Sequence, residues 1–345
     1  MDSVTQAALG AVVGQSMMGR HVGRLAPILG AVLGTLPDLD VLISFGGAVE
    51  DFTYHRGFSH SLFIHLLATP LIVWLILRCH AGSRPFRKQW AVCVLAVLWT
   101  HALLDSFTVY GTQLLWPFTD YPFGISSVFI IDPLYTLPLL VGLLLSGIWG
   151  WHSQRATKAA LVVLCLSSAY LVWSVLAKTW LHHNLEQALS EQSIKPRAIL
   201  STPSPFNTLL WRVVILEEDI YRVGHITLWD EPETIEFKSY LKGDSLIESI
   251  ADEWDVKRLS WFTKGFYRVA ERDKQLVISD LRMGYEESYA FNFAVANTHQ
   301  GDVLEVIKAV PVKDQRDLNR LALLWDRLWD NSVSLHPVVL GESEN

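Results

Sequence analysis

The 345-residue chain is short of charge. Asp, Glu, Lys and Arg make up 18% of it and hydrophobic residues 50%, whereas about a quarter of an ordinary soluble domain is charged. Mean hydropathy is +0.26. The charge present is unevenly spread: residues 1–178 carry a formal +2 and residues 179–345 carry −9. Neither part has the basic excess of a nucleic-acid surface, so no nucleic-acid partner is expected. Cysteine is scarce too. Cys79, Cys93 and Cys165 stand far apart in or beside apolar runs, which excludes a CxxC pair or a disulfide framework and reads as buried free thiols. A secretory leader pattern is missing: Asp2 is acidic where a basic segment belongs, and no clean small-residue cleavage site follows. Finally, residues 25–55 and 89–154 contain no Lys or Arg.

What is present is apolar and long. A bilayer-crossing helix needs about 20 mostly apolar residues, and segments 25–45, 60–79, 89–107, 127–150 and 157–178 reach that length. Residues 4–19 are apolar, short and rich in small side chains, which suits a tightly packed helix or half-span. Basic residues gather in the connectors Arg20/Arg24, Arg78/Arg84/Arg87/Lys88 and Arg155/Lys158, and Lys and Arg favour the cytoplasmic side. Alternation then places 38–60, 101–127 and the chain after 179 outside. Beyond Trp180, segments 207–216, 220–229, 233–239 and 275–280 read as strands, 245–264 and 315–330 as amphipathic helices, and 196–206 as a Pro/Ser-rich linker. The expected fold is an α-helical multi-span membrane domain of five or six helices over 1–180, followed by an α+β extramembrane domain over 181–345.

Three motifs interrupt the apolar half: Pro37-Asp38-Leu39-Asp40, His55-Arg56-Gly57-Phe58-Ser59-His60-Ser61 and His101-Ala102-Leu103-Leu104-Asp105. Ionisable residues near membrane depth are costly and read first as functional. His101 and Asp105 are four apart, on one helix face. Each motif also has an ordinary reading: a helix terminator, a loop in which Ser59 caps the next helix, and a hydrogen-bonded helix end. The alternation of basic loops brings all three to one face, which favours a metal site built from Asp38, Asp40, His55, His60, His101 and Asp105. Mixed His and carboxylate donors suit zinc first, with manganese or iron as alternatives. The motifs supply enough ligands for two ions, and paired metals can clamp a phosphoryl group and activate water for hydrolysis of a phosphoester or lipid-like substrate. Asp38, His60 and Arg56 are the candidate catalytic residues, Arg56 either binding phosphate or snorkelling toward headgroups. The alternative functions are an ion- or lipid-binding transporter, or a scaffold with a non-catalytic metal. His65 reads as a helix–helix hydrogen bonder, and His21, His80 and His152 as interfacial. Asp132 is either a neighbour of the metal ligands or the cap of a helix beginning at Pro133.

At MDSVTQAALG, LPDLD, HRGFSHS, HALLDSFTVYGTQLLWPF and IDPLYTLPLL the chain resembles the YdjM-like, or YfhP-like, family of inner-membrane metal-dependent hydrolases. The likeness is strong over about residues 1–145 and extends more weakly through NTLLWRVVIL. It implies a multi-pass protein of the bacterial inner membrane, embedded in the lipid bilayer, with a metal site and a small-molecule or lipid substrate. Many members carry His where this chain has Gln6, a poor metal ligand, so that either Asp2 substitutes or the site holds fewer metals.

Overall fold

The structure is a computed structural model and describes residues 1–286, 288–299, 302–314 and 320–335. Its N-terminal region is helical and its C-terminal region is rich in β-structure. By contact the chain divides into two units. The first comprises residues 1–45, 54–176 and 205–208; the second comprises 46–53, 177–204 and 209–345.

In the first unit, α1 (Ser3–Val22) begins at Asp2, whose carboxylate accepts from the amides of Val4 and Thr5, as an N-cap should. Asp2 is thereby occupied in capping. Helix α2 (Leu25–Thr35) stops two residues before Pro37, which starts a 3-10 turn at Pro37–Leu42. The apolar stretch expected at 25–45 therefore holds only 11 helical residues. Next come α4 (Leu62–Cys79), α5 (Arg87–Asp105), α6 (Pro133–Ile148) and α7 (Gln154–Glu191), which continues into the second unit from residue 177; the short α3 (Ala48–Tyr54), before α4, belongs to the second unit except for Tyr54. Among the described residues, α4 and α7 are both long and apolar enough to cross a membrane. The others each fall short for a visible reason. Helix α5 opens on Arg87 and Lys88, α1 is diluted by Gln, Ser and Gly, and α6 has 16 residues. Large apolar side chains point outward from α4 (Leu67, Leu71, Trp74), α6 (Leu137, Leu144) and α7 (Leu161, Leu166, Val172), the surface a lipid-facing helix presents.

Helices α1 and α2 pack through glycine. A Cβ on Gly30 would lie 2.1 Å from the Gly10 carbonyl oxygen, and one on Gly34 would lie 2.5 Å from that of Gln6. Gly10/Gly14 and Gly30/Gly34 are each spaced by four, the small-residue pattern that lets two backbones touch. Cys93 is buried as expected, but Cys79 and Cys165 are exposed, because they lie on outward helix faces.

The second unit holds two four-stranded antiparallel sheets, ordered β1-β2-β3-β4 and β10-β9-β6-β5, and a two-stranded ribbon β7-β8. The strands are β1 (Ala198–Pro203), β2 (Leu210–Leu216), β3 (Ile220–Thr227), β4 (Lys238–Leu241), β5 (Tyr267–Arg272), β6 (Gln275–Asp280), β7 (Gly284–Tyr285), β8 (Ser288–Tyr289), β9 (Asn292–His299) and β10 (Asp302–Pro311). Every residue of β2 is buried. Trp211, Val213 and Ile215 pack with Leu181 and Leu185 on one face, while Val214 and Leu216 pack with Tyr221 and Phe266 on the other. The supposed linker at 196–206 contains β1, paired with β2 along its whole length; its Pro203 closes an edge strand, where proline is tolerated. The helix expected over 245–264 is broken into a 3-10 turn, Asp244–Ile250, and α8 (Trp254–Phe262). That expected over 315–330 is described from α9 (Arg320–Trp329) onward, residues 315–319 lying outside the described residues. The strand expected at 233–239 is β4, beginning at Lys238 after a turn at Pro232–Thr234.

Candidate metal centre

All three motifs lie in the first unit, and each is delivered by a local device. Pro37 sets the 3-10 turn that turns Asp38 and Asp40 inward. A second 3-10 turn, Phe58–His60, places His60 before Ser61, which caps α4 through the Ile64 amide. The last turn of α5 carries His101 and Asp105. One donor atom from each of Asp38, His60, His101 and Asp105 falls within 4.8 Å of all the others.

Within that group, His60 Nε2 lies 3.1 Å from Asp105 Oδ2 and 3.4 Å from Asp38 Oδ1. His101 Nε2 lies 3.5 Å from Asp38 Oδ1 and 3.7 Å from Asp105 Oδ2. The two imidazole Nε2 atoms are 3.0 Å apart. A tetrahedral ion with bonds of about 2.0–2.2 Å holds its donors roughly 3.3–3.6 Å from one another, so the spacing suits one ion.

The tautomers can be read from the partners. His101 Nδ1 is 2.6 Å from the carbonyl of Gly34, which can only accept, so Nδ1 carries the proton. Ser59 Oγ donates its only proton to the Asp40 carboxylate, and so accepts from His60 Nδ1 at 2.9 Å. When both rings are neutral, the Nε2 lone pair is what faces the cluster. Two lone pairs and two carboxylates then converge on one space, a donor set that could hold a metal ion.

Asp40 and His55, expected as ligands, stand one layer out. Asp40 Oδ1 pairs with His55 Nδ1 at 2.7 Å, and Oδ2 accepts the Arg56 amide at 2.9 Å as well as Ser59. Burial pushes the Asp40 carboxyl up, but the hydrogen bond and charge of His55, with Ser59, outweigh it and hold the group below its ordinary range. Asp40 therefore ties together the loop that presents His60. His65 adds to this from α4, its Nε2 on the Ser59 carbonyl at 2.7 Å.

Arg56 is buried, its Nε 3.2 Å from Asp105 Oδ2, its Nη1 donating to Thr108 at 3.1 Å and its guanidinium 5.2 Å over the Tyr110 ring. It faces the cluster and does not snorkel. Asp132 is gathered elsewhere: it caps α6 through the Leu134 and Tyr135 amides, and Tyr170 donates to it at 2.7 Å.

One participant was not assigned from the sequence. Gln6, fully buried on α1, donates from Nε2 to Asp105 Oδ1 at 2.9 Å and to the His101 carbonyl at 3.3 Å. Its Oε1 is buried without a hydrogen-bond partner among the described residues. The Met1 amine also contacts Asp105 Oδ1. The glycine-paired contact of α1 and α2 is what allows both Gln6 and the Gly34 carbonyl to reach the ends of α5. The repeated Gly-x-x-x-Gly spacing is the signal that could have revealed it.

Comparison with known proteins places these residues in context. The inner membrane protein YbcI of Escherichia coli (strain K12) is 34% identical over 127 residues, covering 35% of this chain and 69% of its own. The protein YfhP of Bacillus subtilis (strain 168) is 23% identical over 290 residues, 76% of this chain and 84% of its own. No solved structure matches. The family model described as YdjM inner membrane protein matches residues 1–181, which include every motif residue of the cluster. The chain belongs to the YdjM inner membrane protein family.

Proposed function

We propose that this protein is a metal-dependent hydrolase of the bacterial inner membrane, using metal-activated water on a phosphoester with lipid-like character. The observation that carries the reading is the convergence of one donor atom from each of Asp38, His60, His101 and Asp105 within 4.8 Å, with Nδ1 of the two rings engaged by Gly34 and Ser59. Asp38, His60, His101 and Asp105 are the ligands; zinc is the first choice, and manganese or iron also fit such donors. Asp40 and His55 orient the His60 loop. An ion of this class lowers the pKa of bound water toward about 7 and polarises a phosphoryl oxygen.

The rest follows from the chain's own groups. The Asp38 side chain is 19% exposed, whereas those of His60, His101 and Asp105 are at most 1% exposed. The cluster thus opens at Asp38. Leu39, Val41 and Leu42, in the same turn, are exposed, so the opening has an apolar rim, fitted to a substrate with acyl chains. Arg56 neutralises Asp105 and holds positive charge beside the site, where a phosphoryl group would gather negative charge. Asp38 is the least enclosed carboxylate; its Oδ1 faces His60 and His101, so its other oxygen would be the one to take a proton from water.

A second reading has its own support: four protein donors suffice to close a tetrahedral sphere, as in structural zinc sites. Metal analysis of the purified full chain, with assays on a soluble aryl phosphate and a phospholipid, separates the two. On the hydrolase reading the protein carries metal and turns over phosphoester, and His101→Ala and Asp105→Ala each abolish both. The double variant should lose little more than either single one, because the residues act as a unit. Full metal content with no turnover of either substrate would leave the structural role. Full metal content in both single variants would remove the site itself.

A further inference from the structure

The second unit carries a line of exposed tryptophans that the metal centre does not use. Trp180, on α7, donates from its indole to the Leu228 carbonyl at 3.1 Å, next to Trp229. Trp229 stacks on Trp329 with ring centroids 5.8 Å apart, and Trp329 meets Trp325 edge-on at 5.9 Å. All four indoles are about half exposed or more, from 49% at Trp229 to 65% at Trp329. On α9 the buried side is supplied by Leu324 and Leu328, leaving Leu323, Trp325 and Trp329 outward.

Exposed tryptophans so linked are unusual on a surface that meets only water. Indoles concentrate where one side is apolar and the other wet, the headgroup region of a bilayer. The covalent path to this patch says which surface it meets. Helix α7 runs without a charge from residue 159 to residue 177, between Lys158 and Lys178. Those 19 residues rise about 28 Å, close to the thickness of a hydrocarbon core of about 30 Å. Trp180 stands just past the end of that run, at interfacial depth, and it is hydrogen-bonded to the segment carrying Trp229.

We propose that Trp180, Trp229, Trp325 and Trp329 form an interfacial anchor that seats the second unit on the headgroup layer of the bilayer crossed by α7. The occupant of the patch is phospholipid. This does not depend on the metal centre, and metal-free variants should keep it.

Hydroxyl-radical footprinting of the unsubstituted full chain tests it, with one copy per nanodisc of phosphatidylcholine and phosphatidylglycerol. Trp254, in the same unit, is 47% exposed and outside the patch, and serves as the internal standard. Oxidation of Trp229, Trp325 and Trp329 should run several-fold slower than that of Trp254, although their exposure in the protein alone is equal or greater. Equal rates in single-copy nanodiscs would overturn the proposal. Protection that arises only with two copies per disc would also overturn it and assign the patch to a second copy of the chain.

Discussion

At the scale of single residues, the candidate site is built from chemistry foreign to its surroundings. Aspartates and histidines in an otherwise apolar half stand out, and Asp38, His60, His101 and Asp105 are the four the fold brings together. That Asp40 and His55 stand outside this cluster was not legible. Spacing does not say which acidic side chains converge; the Ser59 hydroxyl and the Arg56 amide are what engage Asp40 apart from the others. Asp132 shows the same ambiguity resolved toward its helix, since Pro133 at the first helical position makes it a cap. Gln6 was noticed only as a departure from the family pattern, yet its amide reaches Asp105. A histidine there would place a ring nitrogen near the same carboxylate. Gln6→His is therefore expected to raise metal retention on dialysis against a chelator, with the helical content unchanged. Equal retention in the two proteins would mean that position 6 only supports Asp105.

At the scale of elements, periodicity found helices and failed where another rule took over. The apolar stretch before the first acidic motif was read as a span, but Pro37 ends helical geometry early and makes the turn the site needs. Strand β1 was hidden beneath a Pro/Ser composition typical of loops, because an edge strand tolerates both residues. The α1–α2 contact was legible only as small-residue content, whereas its consequence is geometric. The backbones meet at Gly10 and Gly30, and Gly34 offers its carbonyl to His101. Gly30→Val would drive a side chain into the Gly10 carbonyl and separate the helices. The cost of such overpacking is typically about 1–3 kcal/mol, and His101 would lose the partner that fixes its tautomer. Loss of the hydrogen-bond partner that orients a metal-binding histidine commonly reduces metal affinity about 10–100-fold. Titration of the purified variant against a zinc-competing dye should show a loss of that order while the protein still inserts and migrates as a single species. An unchanged affinity would show that the glycine contact serves packing alone.

At the scale of the whole molecule, composition separated a helical, charge-poor N-terminal region from a β-rich, acidic C-terminal one. It could not say how many helices cross the bilayer. Length and hydropathy together single out α4 and α7 among the described residues, and the shorter or more polar helices need a test of position. The distribution of Lys and Arg supplies one. If the connectors at 20–24, 78–88 and 155–158 are cytoplasmic, then the segment after α5 and the second unit are both outside. Asp120 and Glu218 are exposed, each in a connecting segment of its own unit. Cys79 and Cys165 are exposed and would be replaced by Ser, while the buried Cys93 can stay. In that background Asp120→Cys and Glu218→Cys should each react with a membrane-impermeant maleimide added to spheroplasts, so that the dye meets the inner membrane directly. Cysteines placed at Arg84 and Arg155 should react only after lysis. Labelling of the basic connectors in intact spheroplasts, with protection of positions 120 and 218, would reverse the orientation and put the metal centre on the cytoplasmic face. Labelling of 120 without 218 would instead require an odd number of crossings between them, and so would count the helices that hydropathy leaves open.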